Sequence, residues 1–226
     1  MFASRDRRCV PLQDSGLMHA MGMLDDIFLP RHGKVTFLGG DADLVDMLVH
    51  SLCSRASVRG APVYWVDGGN VLDPHRLSRM MRRQGGNPRL ALEWVHVSRA
   101  FTAHQMSTIV EERLETVIRE NGRGMVLLPR LSSPYLDEDM DRSEAQHLLR
   151  SSMRCLQGLS RSLQVPVAVS AYSGRGRMQR IVRDGCDEEM LLCTDGGALR
   201  VDAPDGREAL LPLAQGQTSL FSLPGR

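Results

Sequence analysis

Phe37–Leu48, written FLGGDADLVDML, joins a hydrophobic run, a Gly-led turn and the start of an apolar-striped helix. That succession is the architecture of a phosphate-binding loop, in which backbone N–H groups and a lysine hold phosphates and a hydroxyl holds Mg²⁺. In the register G-x-x-x-x-G-K-[ST] from Gly39, with Gly40 beside it, Leu44 stands at the second glycine, Val45 at the lysine and Asp46 at the hydroxyl. Leu44 carries a Cβ where the backbone must approach closely, and Val45 supplies no cation. Asp46 would repel a phosphate: two like charges ~4 Å apart repel by about 1 kcal/mol in water and several-fold more in a cleft. Lys34, the only lysine of the chain, lies roughly 17 Å from Gly39 along a strand. Taken alone, the loop reads as a plain strand–turn–helix connection.

A second run able to do chemistry is AYSGRGRMQRIVRD, Ala171–Asp184. Arg175, Arg177, Arg180 and Arg183 cluster there, with Gly174 and Gly176 for flexibility and Tyr172 placed to stack on a base. Four arginine–phosphate contacts give measurable, salt-sensitive nucleic-acid binding even on a near-neutral protein. The competing reading is a basic surface loop salt-bridged to an acidic segment or to a partner. Such a segment exists in SSPYLDEDMDRSE, Ser132–Glu144, where Asp137, Glu138, Asp139 and Asp141 would repel a phosphate backbone. The seven histidines are dispersed without ligand spacing, so no metal site is expected.

The elements that must position these residues follow from periodicity. Apolar spacing predicts a helix over 17–28, then a strand Lys34–Leu38, a helix through Leu44, Val45, Leu48 and Leu52, and a strand Pro62–Asp67. A proline-led helix spans 74–82, a strand 92–97, and one long helix 104–120. A strand at 124–128, a helix at 144–163 and a strand at 165–170 complete the alternation. Beyond Arg183, strands flank Asp195-Gly196-Gly197, and Ala203-Pro204-Asp205-Gly206 marks another tight turn. The fold class expected is therefore α/β: a mostly parallel twisted sheet flanked by helices, extended at one edge by C-terminal antiparallel strands. Residues 1–15 read as a flexible arm and 16–226 as a single domain. Trp65 and Trp94 both fall in expected strands and are assigned to the core.

Three further stretches carry a family resemblance. LDDIFLPRHGKVTFLGG (Leu24–Gly40), VDGGNVLDPHRL (Val66–Leu77) and SRAFTAHQ (Ser98–Gln105) resemble, in order and spacing, segments of the ATPase core of the RecA superfamily, especially its RadA-like recombinases. Asp67, Pro74, Arg76 and Leu77 match the second segment without a gap. The resemblance covers roughly residues 20–200 and implies a RecA-like core. Within it, Gly69 stands where the family has its water-orienting glutamate, and Pro129 where it has its Walker B aspartate. The resemblance thus implies a recombinase paralogue with degenerate Walker motifs, a pseudo-ATPase without cofactor. Such a protein would assist homologous recombination or DNA repair by binding single-stranded DNA, a recombinase, or another RecA-like paralogue. The family's DNA contacts correspond to the acidic and basic runs described above. A different reading of the same resemblance is a protein-only regulator, KaiC-like or cell-division-inhibitor-like, that binds no DNA.

Composition bounds both readings. With 226 residues, 42% of them hydrophobic, the chain can bury a sizeable core, and a net charge of +1 means that nucleic-acid binding must come from a local patch. Five scattered cysteines without a C-x-x-C pair, an Arg-rich opening unlike a secretory leader, and no long apolar run lead to an expected cytoplasmic location, or nuclear in a eukaryote, with no membrane partner. The thiols are expected to be buried.

Overall fold

The computed structural model describes residues 29–171, 176–195 and 197–212. The arm expected over 1–15 and the helix expected over 17–28 lie outside them, as do Tyr172 and Arg175. Strands β1 (Val35–Gly40), β2 (Val63–Asp67), β3 (Val95–Arg99), β4 (Met125–Leu128), β5 (Val167–Ser170), β6 (Glu188–Asp195), β7 (Ala198–Asp202) and β8 (Glu208–Pro212) form one sheet in the order β3-β2-β4-β5-β1-β6-β7-β8. The ladders from β3 to β6 are parallel, and β7 and β8 add antiparallel at the far edge. This is the α/β arrangement expected of a RecA-like core.

The helices are α1 (Ala42–Val58), α2 (Pro74–Arg83), the short α3 (Pro88–Ala91), α4 (Ala103–Thr108), α5 (Leu114–Asn121), α6 (Arg142–Leu163) and α7 (Arg177–Asp184). Because strand side chains alternate between faces, Trp65, Leu127 and Ala168 pack under α1 and α2, while Tyr64, Val66, Val126 and Val167 pack under α4, α5 and α6. Four of the strand-to-helix connections start with a side-chain cap that takes up orphan helix N–H groups: Asp41 for α1, Asp73 for α2, Thr102 for α4 and Asp141 for α6. Among the described residues no helix is long and apolar enough to cross a membrane.

Three elements differ from expectation. Leu92–Trp94 is a 3₁₀ turn and β3 begins at Val95, so Trp94 is 42% exposed rather than core, while Trp65 is fully buried. The long helix after Thr102 is interrupted by a π-helical stretch, Ile109–Arg113. There the Glu111 carboxylate accepts from the hydroxyls of Ser151 and Ser152 on α6. The basic run is partly helical: Met178, Ile181 and Val182 form an apolar stripe against α6, which orders Arg177–Asp184 as α7 instead of a flexible loop. Of the described cysteines only Cys53 is fully buried. Cys155, Cys186 and Cys193 are half-buried.

Candidate functional site

β1 ends at Gly40 and Asp41 already caps α1, so no phosphate-cradling loop intervenes. The helix begins at Ala42; Leu44, Val45 and Asp46 are therefore helical, and Leu44 and Val45 are buried in the core beneath α1. The paired glycines have a different purpose. At Gly40, where φ is +115°, a Cβ would sit 1.8 Å from the Leu192 carbonyl oxygen, and the Asp41 N–H donates to that same oxygen at 3.0 Å. At Gly39 a Cβ would meet the Leu191 side chain at 2.8 Å. Glycine is required here because β6 lies so close to the end of β1.

Asp46 faces the carboxyl end of the sheet. There Arg130 donates from Nη2 to Asp46 Oδ2 at 2.5 Å. Arg130 follows Pro129 at the end of β4 with φ +49°, and its N–H donates to Ser170 Oγ at 2.9 Å. Its aliphatic stem lies over Gly69: a Cβ on Gly69 would be 2.6 Å from Arg130 Cβ. The structure thus gathers Asp46, Gly69, Pro129 and the unanticipated Arg130 at one point. Burial pushes the Asp46 carboxyl above its ordinary pKa, and the Arg130 guanidinium offsets this only in part. The cavity left between β1, Asp46, Arg130, Ser170 and Gln179 is about 20 Å³. That is room for one water molecule, whereas small-ligand pockets run to several hundred cubic ångströms.

A larger cleft of about 320 Å³ opens one strand pair away, between the ends of β2, β3 and β4. Asp67, Asn70, Arg99, Phe101 and Ser133 line it. Asp67 is not free to act there, since its two carboxylate oxygens accept the N–H groups of Val71 and Leu72 and shape the turn after β2.

The basic cluster is only partly placed. Arg177 and Arg180 are exposed on α7, while Arg183 donates to Glu189 at 2.6 Å and is committed to a salt bridge. In the acidic run, Asp141 is engaged as the α6 cap, and Tyr135 is buried with its hydroxyl 3.1 Å from Ser152 Oγ. Arg130 and His50 escaped sequence reasoning. Arg130 lies next to Pro129 in the chain, but only packing places it opposite Asp46, and His50 belongs to no motif. No protein-family model matches the sequence.

Proposed function

We propose that this chain is a RecA-like protein without ATPase activity, a recombinase paralogue that assists DNA recombination or repair by binding single-stranded DNA, a recombinase, or both. The observation that carries this reading is the Asp46–Arg130 pair. It occupies the point where a phosphate loop and an acidic strand end would meet, and leaves space for a single water. Phosphoryl transfer depends almost wholly on positioning and charge stabilisation, and a buried carboxylate already paired with arginine supplies neither. The exposed Arg177 and Arg180, continuing from Arg175 in sequence, support the strand-binding role.

The protein-only regulator is favoured by a specific observation too: Arg183 is paired within the chain and is not available to a phosphate. Thermal unfolding tests strand binding and the missing nucleotide site. Oligothymidylate is expected to raise the Tm and Mg-ATP to leave it unchanged. A ligand at 100 times its Kd stabilises by about 2.7 kcal/mol, so a Tm rise with Mg-ATP overturns the pseudo-ATPase reading. No response to oligothymidylate at low salt removes strand binding and leaves a protein-binding role, as recombinase accessory or as regulator, which a pull-down with a recombinase then separates.

A further inference from the structure

The near-zero net charge conceals a one-sided distribution. Between Met47 and Pro62, and again between Pro74 and Leu92, the sequence has no aspartate or glutamate. Those segments are the body and end of α1, all of α2 and all of α3, which pack together as one layer on one face of the sheet. The layer holds Arg55 from α1 and Arg59 just past its end, Arg76, Arg79, Arg82 and Arg83 from α2, and Arg89 from α3. Among the described residues Arg59, Arg79, Arg82 and Arg89 are exposed and form no ion pair. Outside this layer Arg119, Arg161, Arg183 and Arg200 each have a carboxylate partner, and exposed arginines such as Arg113 and Arg142 stand next to acidic residues, Glu112 and Asp141, in the chain.

Arg76, in the first turn of α2, lies near Asp46; the other arginines gather toward the end of the layer remote from the Asp46–Arg130 site. α1 and α2 both run away from the carboxyl edge of the sheet, and Ser54 Oγ donates to Gln84 Oε1 at 3.0 Å, so their C-termini adjoin. Arg79, Arg82 and Arg83 share one face of α2 over little more than one 5.4 Å turn. Trp94 lies against the same end: its indole ring is 3.8 Å from where a Gly60 Cβ would be, one residue from Arg59. The indole therefore has one side backed by glycine and 42% of the residue open to solvent. An exposed aromatic ring beside the exposed Arg59, Arg79, Arg82 and Arg89 is the composition that holds an unstacked strand, the phosphates on the guanidinium groups and a base on the ring.

We propose that the α1–α2–α3 layer, with Trp94, is a binding surface for single-stranded nucleic acid, separate from the α7 arginines. It shares its ligand with the function proposed above but none of its residues. Trp65 is buried and Trp94 is the only other tryptophan, so a quenching of intrinsic fluorescence that Trp94→Phe removes reports this surface.

The test titrates full-length protein with oligothymidylate over a range of salt. Binding is expected to quench the tryptophan emission, and Trp94→Phe is expected to remove that change. Joint reversal of Arg59, Arg79, Arg82 and Arg89 to Glu is expected to abolish the quenching and to flatten the slope of log K against log salt by about 3, since each phosphate contact on a single strand contributes about 0.7. The corresponding Arg→Gln variant should give an intermediate loss, with circular dichroism unchanged in both. Reversal of Arg175, Arg177 and Arg180 should weaken binding while leaving the quenching amplitude intact. Quenching that survives the layer reversal, or that persists in Trp94→Phe, overturns the proposal. So does competition by polyglutamate at equal charge concentration, which would mark the layer as a dock for acidic protein. A wild-type protein that binds no strand removes both surfaces, while loss confined to one variant separates them.

Discussion

His50 and Asp46 show how much of the candidate site is decided atom by atom. The His50 ring is fully buried; its Nε2 accepts the Asp73 N–H at 3.0 Å, so the proton sits on Nδ1 and is donated to the Asp46 carbonyl at 2.7 Å. Burial lowers the His50 pKa. The unfolded chain therefore takes up this proton first as pH falls. The stability that His50 contributes is complete above about pH 6.5 and declines below it, by up to about 1.4 kcal/mol per pH unit until the folded ring titrates. Urea unfolding at about pH 7.5 and about pH 5.5 should show the decline in the wild type and a smaller one in His50→Gln. Equal declines would remove His50 as the cause. In the neighbouring pair, the Asp46 side chain is 11% exposed and that of Arg130 28%. Arg130→Ala, which strands the more buried charge, should cost about 3 kcal/mol, and Asp46→Ala nearer 1 kcal/mol, because the guanidinium can turn to water. The double variant should cost less than the sum. Additive losses in denaturant melts would show that the two groups do not interact.

At the scale of elements, the β1–α1 connection governs the site. A phosphate loop needs residues between strand and helix whose N–H groups point inward, and here Asp41 caps α1 directly after the strand. Gly40→Ala must place a Cβ against the Leu192 carbonyl at φ +115°, and is expected to cost at least 2–3 kcal/mol through strain and overpacking, by roughly the magnitude usual for each. Gly69→Glu would place a carboxylate where the proposed RecA-like reading expects a glutamate, but it collides with the Arg130 stem. It should destabilise by about 1–3 kcal/mol without producing ATP turnover in a phosphate-release assay. Normal stability for either variant would mean that the close approaches described here do not constrain the backbone. α7 belongs to this scale as well. Its apolar spacing at Met178, Ile181 and Val182 was legible in the sequence, but glycines and arginines suggested a loop, and packing against α6 prevailed over local flexibility.

Over the whole molecule, charge separation is the dominant property that composition hides. A net charge of +1 led to the expectation of a single local basic patch after Ala171. The fold instead stacks the acid-free segments of α1, α2 and α3 on one face, while acidic Glu111, Glu115 and Glu144 lie on the helices of the other. Electrostatic attraction of a polyanion depends on that distribution and not on the sum. If the layer binds a strand as proposed, the salt slope of that binding belongs to the folded chain, and it should collapse toward zero on unfolding even though every arginine is still present.

The amino-acid sequence by itself determined the α/β alternation, the positions of β1, β2, β4 and β5 to within about two residues, the antiparallel C-terminal strands, and the absence of a lysine and a hydroxyl from the Gly39 loop. Those features follow from side-chain periodicity and from residue identity, which are local. Only the tertiary structure decided that Gly39 and Gly40 serve the contact with β6, that Arg130 reaches Asp46 across 84 positions of chain, that Trp94 is exposed, and that arginines from three helices share one surface. Each of these depends on which strands lie side by side, and strand order is fixed by long-range packing that no local pattern encodes.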